Sequence, residues 1–121
     1  MRKVMIVEDD RDIREPMREL LEEEGYRVTC AATGREALRL LDDDMPSVIL
    51  CDLMMPNMNG VELIQTLRQQ NTKAAESVVI LSAAANAEKT ATELGVGFLR
   101  KPIDIDALLS TVQQYCPAEG Y

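Results

Sequence analysis

Carboxylates, a hydroxyl and an ammonium group stand directly after short apolar runs of this chain. Glu8 and Asp9 follow the first run, Asp52 and Ser82 follow two later runs, and Lys101 follows the last. Histidine is absent, which excludes Ser-His and Cys-His catalysis and histidine-ligated metals. The chemistry that remains is that of carboxylates, hydroxyls and lysine, groups that hold hard cations and phosphate.

The acidic residues are expected to need a cation. Two carboxylates about 5 Å apart repel each other by about 3 kcal/mol at an effective dielectric constant near 20. A ligand set made only of oxygens selects a hard ion, and Mg²⁺ suits a site shared with phosphate. A carboxylate in such a site can act as a nucleophile toward a phosphorylated donor, while Mg²⁺ and a lysine neutralise the charge on the phosphoryl oxygens.

Short apolar runs alternate with helical periods along the chain, which predicts five βα units. The unbroken apolar runs 4–7, 48–51 and 78–81 predict interior strands, and the runs 26–30 and 97–100 predict edge strands. Right-handed crossovers then give an α/β fold, a doubly wound five-stranded parallel sheet in the order 2-1-3-4-5. Ligands of such sheets bind at the carboxyl ends of the strands, where all the polar groups named above are expected to meet.

The first helix contains Pro16, which is tolerated near the first turn if Asp12 is the N-cap. Glu8, Asp9 or Asp10 could also serve as a cap of this helix. Apolar residues at helical spacing predict the remaining helices, marked by Ala37, Leu38 and Leu41; by Leu63, Ile64 and Leu67; by residues 86–94; and by Ile105, Leu108, Leu109 and Val112.

Length and composition bound the class of protein. With 121 residues we expect a single domain over 1–121, and the net charge of −8 argues against direct nucleic-acid binding. No apolar run is long enough to cross a membrane and the N-terminus lacks a secretory signal, so we expect a cytoplasmic protein. Cys30, Cys51 and Cys116 fit neither a disulfide framework nor a zinc site, and we expect reduced thiols.

Four blocks of the sequence resemble the signature blocks of response-regulator receiver domains of two-component signalling, and the resemblance covers almost the whole chain. It implies the flavodoxin-like receiver fold. The aspartate followed by Met-Pro and later by glycine is the most specific of the four. The blocks are Val7-Glu8-Asp9-Asp10; Asp52-Leu53-Met54-Met55-Pro56-Asn57-Met58-Asn59-Gly60; Ser82-Ala83; and Phe98-Leu99-Arg100-Lys101-Pro102.

The resemblance implies a phosphoryl acceptor and a Mg²⁺ site. Asp52 corresponds to the phosphorylated aspartate and Asp9 to a direct metal ligand. Glu8 corresponds to the residue that holds a metal-bound water, and the backbone carbonyl of Met54 completes the coordination. Such a protein is a signalling phospho-acceptor and not an enzyme, with self-phosphorylation and autodephosphorylation as its only reactions.

The resemblance also implies a switch and partners. Lys101 and Ser82 would bind phosphoryl oxygens, Phe98 would be the aromatic residue that moves with Ser82, and the bond before Pro102 would be cis. The phosphoryl donor would be a sensor histidine kinase, and a downstream protein of unknown identity would read the altered surface. A phosphorylation-dependent homodimer is one form that this output could take.

The chain departs from the family pattern in three places. The segment from Ser82 to Lys101 is shorter by about one helical turn, which affects the surface that reports phosphorylation. Phe98 stands where tyrosine is more common. Met54 and Ala84 flank the site with apolar groups that cannot orient an attacking water, which predicts a long-lived phospho-aspartate.

Other protein classes fit the sequence less well. A flavodoxin needs a Ser/Thr/Gly-rich phosphate loop after strand one, where this chain has Glu8-Asp9-Asp10. Phosphatases and transferases built on an Asp-x-Asp pair usually have a threonine after the pair, and neither acidic stretch of this chain has one. The alternative that stays open is a non-phosphorylated pseudo-receiver, which acts as a constitutive protein-interaction module.

Overall fold

The computed structural model describes residues 2–41, 45–54, 58–70 and 73–116. Strands and helices alternate along this part of the chain, as the apolar pattern predicts. The strands are β1 (Lys3–Val7), β2 (Arg27–Ala31), β3 (Val48–Asp52), β4 (Val78–Ser82) and β5 (Gly97–Arg100). The helices are α1 (Arg11–Glu23), α2 (Gly34–Leu41), α3 (Gly60–Gln69), α4 (Ala87–Leu94) and α5 (Ile105–Tyr115).

The five strands form one parallel sheet in the order β2-β1-β3-β4-β5, which confirms the predicted topology. β3 and β4 are buried along their whole length, and β1 is buried in all but its first residue. β2 and β5 keep exposed or half-exposed residues, as expected of edge strands. Near-continuous apolar runs therefore mark the strands that helices cover on both faces.

Alternating side chains of the central strands supply two apolar cores, one on each face of the sheet. On one face Met5, Ile49 and Ile80 pack against apolar residues of α2, α3 and α4. On the other face Ile6, Leu50 and Leu81 pack against α1 and α5. The two cores fix the register of the strands, because a slip by one residue would exchange their faces.

Of the acidic residues that the sequence offers as N-cap of α1, the structure selects Asp10 and not Asp12. The backbone of Asp10 is extended, and its carboxylate accepts a hydrogen bond of 2.9 Å from the N–H of Asp12. Pro16 therefore lies in the second turn of the helix, where its missing N–H removes one helical hydrogen bond. Gly25 follows the helix with a φ of 91°, a conformation that favours glycine.

The other helices lie where the apolar spacing predicts them, and Gly95 ends α4 in the left-handed conformation. The sequence did not predict the short 3₁₀ helix Lys73–Glu76. Met55, Pro56 and Asn57 of the second signature block lie outside the described residues, and so does Pro117, which the sequence predicts to end the last helix. Cys30, Cys51 and Cys116 are free.

No helix in the described part of the chain is long and apolar enough to cross a bilayer.

Candidate functional site

Backbone hydrogen bonds extend the sheet by one residue beyond the ends of β1 and β5. The N–H of Glu8 donates to the carbonyl of Ala31 at 3.0 Å, and the N–H of Lys101 donates to the carbonyl of Ser82 at 3.0 Å. Asp52 is itself the last residue of β3. The side chains of the site thus start from positions that the sheet fixes.

Lys101 joins two of the carboxylates at this edge. Its Nζ lies 2.8 Å from Oε1 of Glu8 and 3.4 Å from Oδ1 of Asp52. Glu8 is 1% exposed and Asp52 is 7% exposed, so both carboxylates are largely withdrawn from water. A buried carboxylate needs such a partner, because an unpaired charge in this environment would be strongly destabilised.

Asp9 completes the cluster from its exposed position beside Glu8. Each of Glu8, Asp9 and Asp52 offers a carboxylate oxygen, and these atoms lie within 4.8 Å of one another. When all three carboxylates are ionised and Lys101 is in contact, three negative charges face one positive charge, which gives the site a net charge of −2. Oxygen ligands and a residual charge of −2 fit a divalent hard cation such as Mg²⁺.

Burial and charge alter the protonation of Glu8 and Lys101. Burial is the main cause that raises the pKa of Glu8 to about 7; the charge of Asp52 acts in the same direction, and the hydrogen bond from Lys101 opposes them. Burial alone would lower the pKa of Lys101, but its contacts with Glu8 and Asp52 raise it above its ordinary value. Lys101 therefore stays charged within the acidic cluster.

Arg14 supports the turn that carries the acidic pair, and the sequence did not point to it. A guanidinium nitrogen of Arg14 donates to the backbone carbonyl of Glu8 at 2.9 Å. The N–H of Asp10 also faces Oε2 of Glu8 at 3.3 Å. The available sequence signal is that Arg14 follows the N-cap Asp10 by one helical turn, which allows a long side chain to reach back to the end of β1.

Ser82 and Met54 lie beside the acidic cluster. Ser82 is 3% exposed, and its Oγ accepts a hydrogen bond of 3.0 Å from the N–H of Ala84. Ser82 does not cap α4, which begins only at Ala87. Met54 is exposed, and its N–H donates to Oδ1 of Asp52 at 3.4 Å. The metal role of the Met54 carbonyl is still a proposal.

Phe98 is half-buried against the core beneath α2, α3 and α4. The guanidinium of Arg100 lies 5.1 Å from the centre of the Phe98 ring and donates to the carbonyl of Ala84 at 3.2 Å. Sequence reasoning did not single out Arg100. The peptide bond between Lys101 and Pro102 is cis.

Comparison with known proteins identifies the family. Residues 4–113 match the response regulator receiver domain. The chain is 39% identical over 118 residues to the uncharacterized 14.6 kDa protein in the sodA1 3′ region of Leptolyngbya boryana, and the match covers 95% of this chain and 90% of that protein. The receiver domain of the Francisella response regulator 1452 matches the fold with a TM-score of 0.86 and 34% identity, over 95% of this chain and 96% of that one. The chain therefore belongs to the receiver domains of two-component response regulators.

The relatives differ in length. The chain is 36% identical to the transcriptional regulatory protein CpxR of Escherichia coli K12, and the match covers 93% of this chain but only 48% of CpxR. The chain thus spans about half of that relative and most of the Leptolyngbya protein.

Proposed function

We propose that this domain accepts a phosphoryl group on Asp52 from a sensor histidine kinase in a Mg²⁺-dependent reaction, and that phosphorylation changes a protein-interaction surface. One observation carries the proposal. The ammonium of Lys101 contacts Asp52 and Glu8 at once, within a cluster of three carboxylates at the carboxyl edge of the sheet. This arrangement pairs a nucleophilic oxygen with positive charge for the phosphoryl oxygens.

The transfer exchanges one bond to phosphorus for another. An oxygen of Asp52 bonds to the phosphorus of a phosphohistidine on the kinase, and the P–N bond of the donor breaks. The electron pair of that bond stays on the imidazole nitrogen, which then takes a proton. Lys101 and the hydroxyl of Ser82 hydrogen-bond phosphoryl oxygens, which stabilises the charge spread over them.

The residues that would hold Mg²⁺ are Glu8, Asp9, Asp52 and the backbone carbonyl of Met54. Glu8 already accepts a hydrogen bond from Lys101, which suits a role through a metal-bound water better than direct coordination. Asp9 is exposed and its carboxylate is free to act as a direct ligand. When bound, Mg²⁺ supplies neutralisation of the negative charge that builds up on the phosphoryl oxygens.

The output of the domain is a change of surface, produced by a shift between two conformations that both exist before phosphorylation. Ser82 and Phe98 are the residues that we assign to this shift. A downstream protein, or a second phosphorylated copy of the chain, would recognise the new surface. Such a domain works in the cytoplasm, where the kinase presents its phosphohistidine.

The proposal is tested with beryllofluoride, a stable substitute for the phosphoryl group. Backbone NMR signals of Ser82 and Phe98 are recorded during titration with beryllofluoride in the presence of Mg²⁺. We expect both signals to move in the wild type and neither to move in Asp52→Asn, which keeps the size of the side chain and replaces the nucleophilic carboxylate by an uncharged amide. Intact mass after incubation with acetyl phosphate and Mg²⁺ should show one added phosphoryl group in the wild type alone.

The opposite outcome has a definite meaning. Signals that stay fixed in the wild type, together with an unchanged mass, would show that Asp52 accepts no phosphoryl group. The domain would then be the constitutive interaction module that the sequence also allows.

A further inference from the structure

The backbone of Ala84 is hydrogen-bonded through both its N–H and its carbonyl. Its N–H donates to Oγ of Ser82 at 3.0 Å, and its carbonyl accepts from the guanidinium of Arg100 at 3.2 Å and from the N–H of Ala87 at 3.2 Å. Ser82 ends β4, and Arg100 is its register partner on β5. Ser82 and Arg100 are therefore linked through hydrogen bonds to the backbone of Ala84.

Arg100 also contacts Phe98 and α4. Its guanidinium lies 5.1 Å from the centre of the Phe98 ring, within the range of a cation–π interaction. A second guanidinium nitrogen is 3.9 Å from Oε1 of Glu88, but both side chains are largely exposed, so this ion pair contributes little. The contacts that matter are those to the Phe98 ring and to the Ala84 carbonyl.

We infer that Arg100 is a positioning residue of the phosphoryl site, which holds the Ser82 hydroxyl and the Phe98 ring in the arrangement of the unphosphorylated domain. The inference rests on the proposed function and adds the regulation of that site. Arg100 touches none of the carboxylates of the cluster in any described contact, and it acts through Ala84 and Phe98.

The hydrogen-bonding capacity of Ser82 explains the coupling. A hydroxyl has one donor and two acceptor positions, so Ser82 can accept from the N–H of Ala84 and still donate to a phosphoryl oxygen. If Ser82 moves toward phosphorylated Asp52, the Ala84 peptide follows and its carbonyl leaves Arg100. A residue whose contacts favour one conformation opposes the shift to the other, and its removal moves the equilibrium.

The composition of the chain provides a clean probe, because Phe98 is its only phenylalanine. Protein labelled with 4-fluorophenylalanine gives one ¹⁹F signal, which reports on the ring of Phe98. The signal is followed during titration with beryllofluoride at saturating Mg²⁺ in the wild type, Arg100→Ala, Arg100→Lys and Glu88→Gln. Denaturant unfolding of each variant establishes that it is folded.

We expect Arg100→Ala to bind beryllofluoride more tightly than the wild type, by about three- to tenfold. Its ligand-free ¹⁹F signal should lie part of the way toward the bound position. Arg100→Lys keeps a charge near the ring but loses the planar donor, so an intermediate effect is expected. Glu88→Gln removes only the weak ion pair and should match the wild type. Affinity for Mg²⁺ alone should be the same in all four proteins.

Two kinds of failure are distinguishable. If the wild type responds to beryllofluoride and folded Arg100→Ala binds it no more tightly, the role of Arg100 is refuted while Asp52 remains the acceptor. If the wild type does not respond, or if Asp52→Asn responds equally, the phosphoryl-acceptor function fails and this inference fails with it.

Discussion

Met54 follows the proposed phosphoryl acceptor by two residues, and its side chain is 69% exposed. A thioether cannot orient a water for attack on the phospho-aspartate, whereas an amide can. Met54→Asn should therefore shorten the lifetime of the phosphorylated protein by about tenfold or more. The decay of the phosphorylated form is measured by intact mass after the donor is removed.

Met45 offers a matched control, because it is also an exposed methionine and lies before β3 at the other end of that strand. Met45→Asn should leave the lifetime unchanged. The substitution at Met54 retains the backbone carbonyl that we assign to the metal, so phosphorylation itself should persist. A wild-type half-life of only seconds in Mg²⁺ buffer would contradict the expectation of a long-lived phospho-aspartate.

Two arginines beside the site, Arg14 and Arg100, were not predicted from the sequence. The proximity of Glu8, Asp52 and Lys101 could be predicted, because each stands at the end of a strand and the order of the sheet brings these ends together. Arg14 and Arg100 act on backbone carbonyls, at 2.9 Å from Glu8 and 3.2 Å from Ala84. The spacing of Arg14 from Asp10 permits the first of these contacts but does not select it, because both contacts depend on the path of a long side chain.

At the scale of elements, Gly60 allows α3 to begin close against the end of β3. A Cβ added at Gly60 would lie 3.1 Å from the backbone oxygen of Asp52 and 3.2 Å from Cα of Leu53. Because backbone atoms cannot easily move aside, Gly60→Ala should lower the free energy of unfolding by about 1–3 kcal/mol. It should also weaken Mg²⁺ binding, because the displaced segment carries Asp52.

Gly97, at the amino end of β5, provides a control that separates the loss of stability from the loss of Mg²⁺ affinity. A Cβ at Gly97 would meet the side chains of Val79 and Tyr115, so Gly97→Ala should destabilise the fold as well. Gly97 begins β5 and lies away from the acidic cluster, so the Mg²⁺ affinity of Gly97→Ala should equal that of the wild type. Calorimetric titration with Mg²⁺ and urea unfolding measure both quantities; equal Mg²⁺ affinities in the two variants would refute the link between Gly60 and the site.

Element boundaries followed from the sequence where burial dictates the pattern. β3 and β4 are buried on both faces, and their apolar runs marked them to within a residue. The sequence left the N-cap of α1 open, since several adjacent acidic residues can cap a helix and only the local backbone selects Asp10 over Asp12. The 3₁₀ helix Lys73–Glu76 was missed, because a single short turn has no periodicity to recognise.

At the scale of the whole molecule, the parallel topology joins residues that are distant in the sequence. The contact between Lys101 and Glu8 closes a separation of 93 residues. It forms only when β1, β3, β4 and β5 are all in register, because the positions of the strand ends define the site. Binding of a cation at this edge is therefore expected to stabilise the folded domain as a unit.

Asp9 provides the test of that coupling. In the presence of chelator, Asp9→Asn should raise the free energy of unfolding by about 0.2–1 kcal/mol, because it relieves repulsion at an exposed position. Mg²⁺ at about 100 times its dissociation constant should add about 2.7 kcal/mol to the wild type. The variant should lose most of this gain. Urea unfolding with and without Mg²⁺ measures all four values.

The overall charge makes a control necessary for this test. A chain with a net charge of −8 attracts cations over its whole surface, so stabilisation by Mg²⁺ alone does not identify a site. Asp12→Asn removes an acidic residue in the first turn of α1, which lies close to Asp9 in the sequence but outside the three-carboxylate cluster. Its gain from Mg²⁺ should match that of the wild type, because the ligands remain. If both variants keep the full gain, or if Mg²⁺ and an equal ionic strength of NaCl stabilise the wild type alike, diffuse screening accounts for the effect and the cluster holds no specific ion.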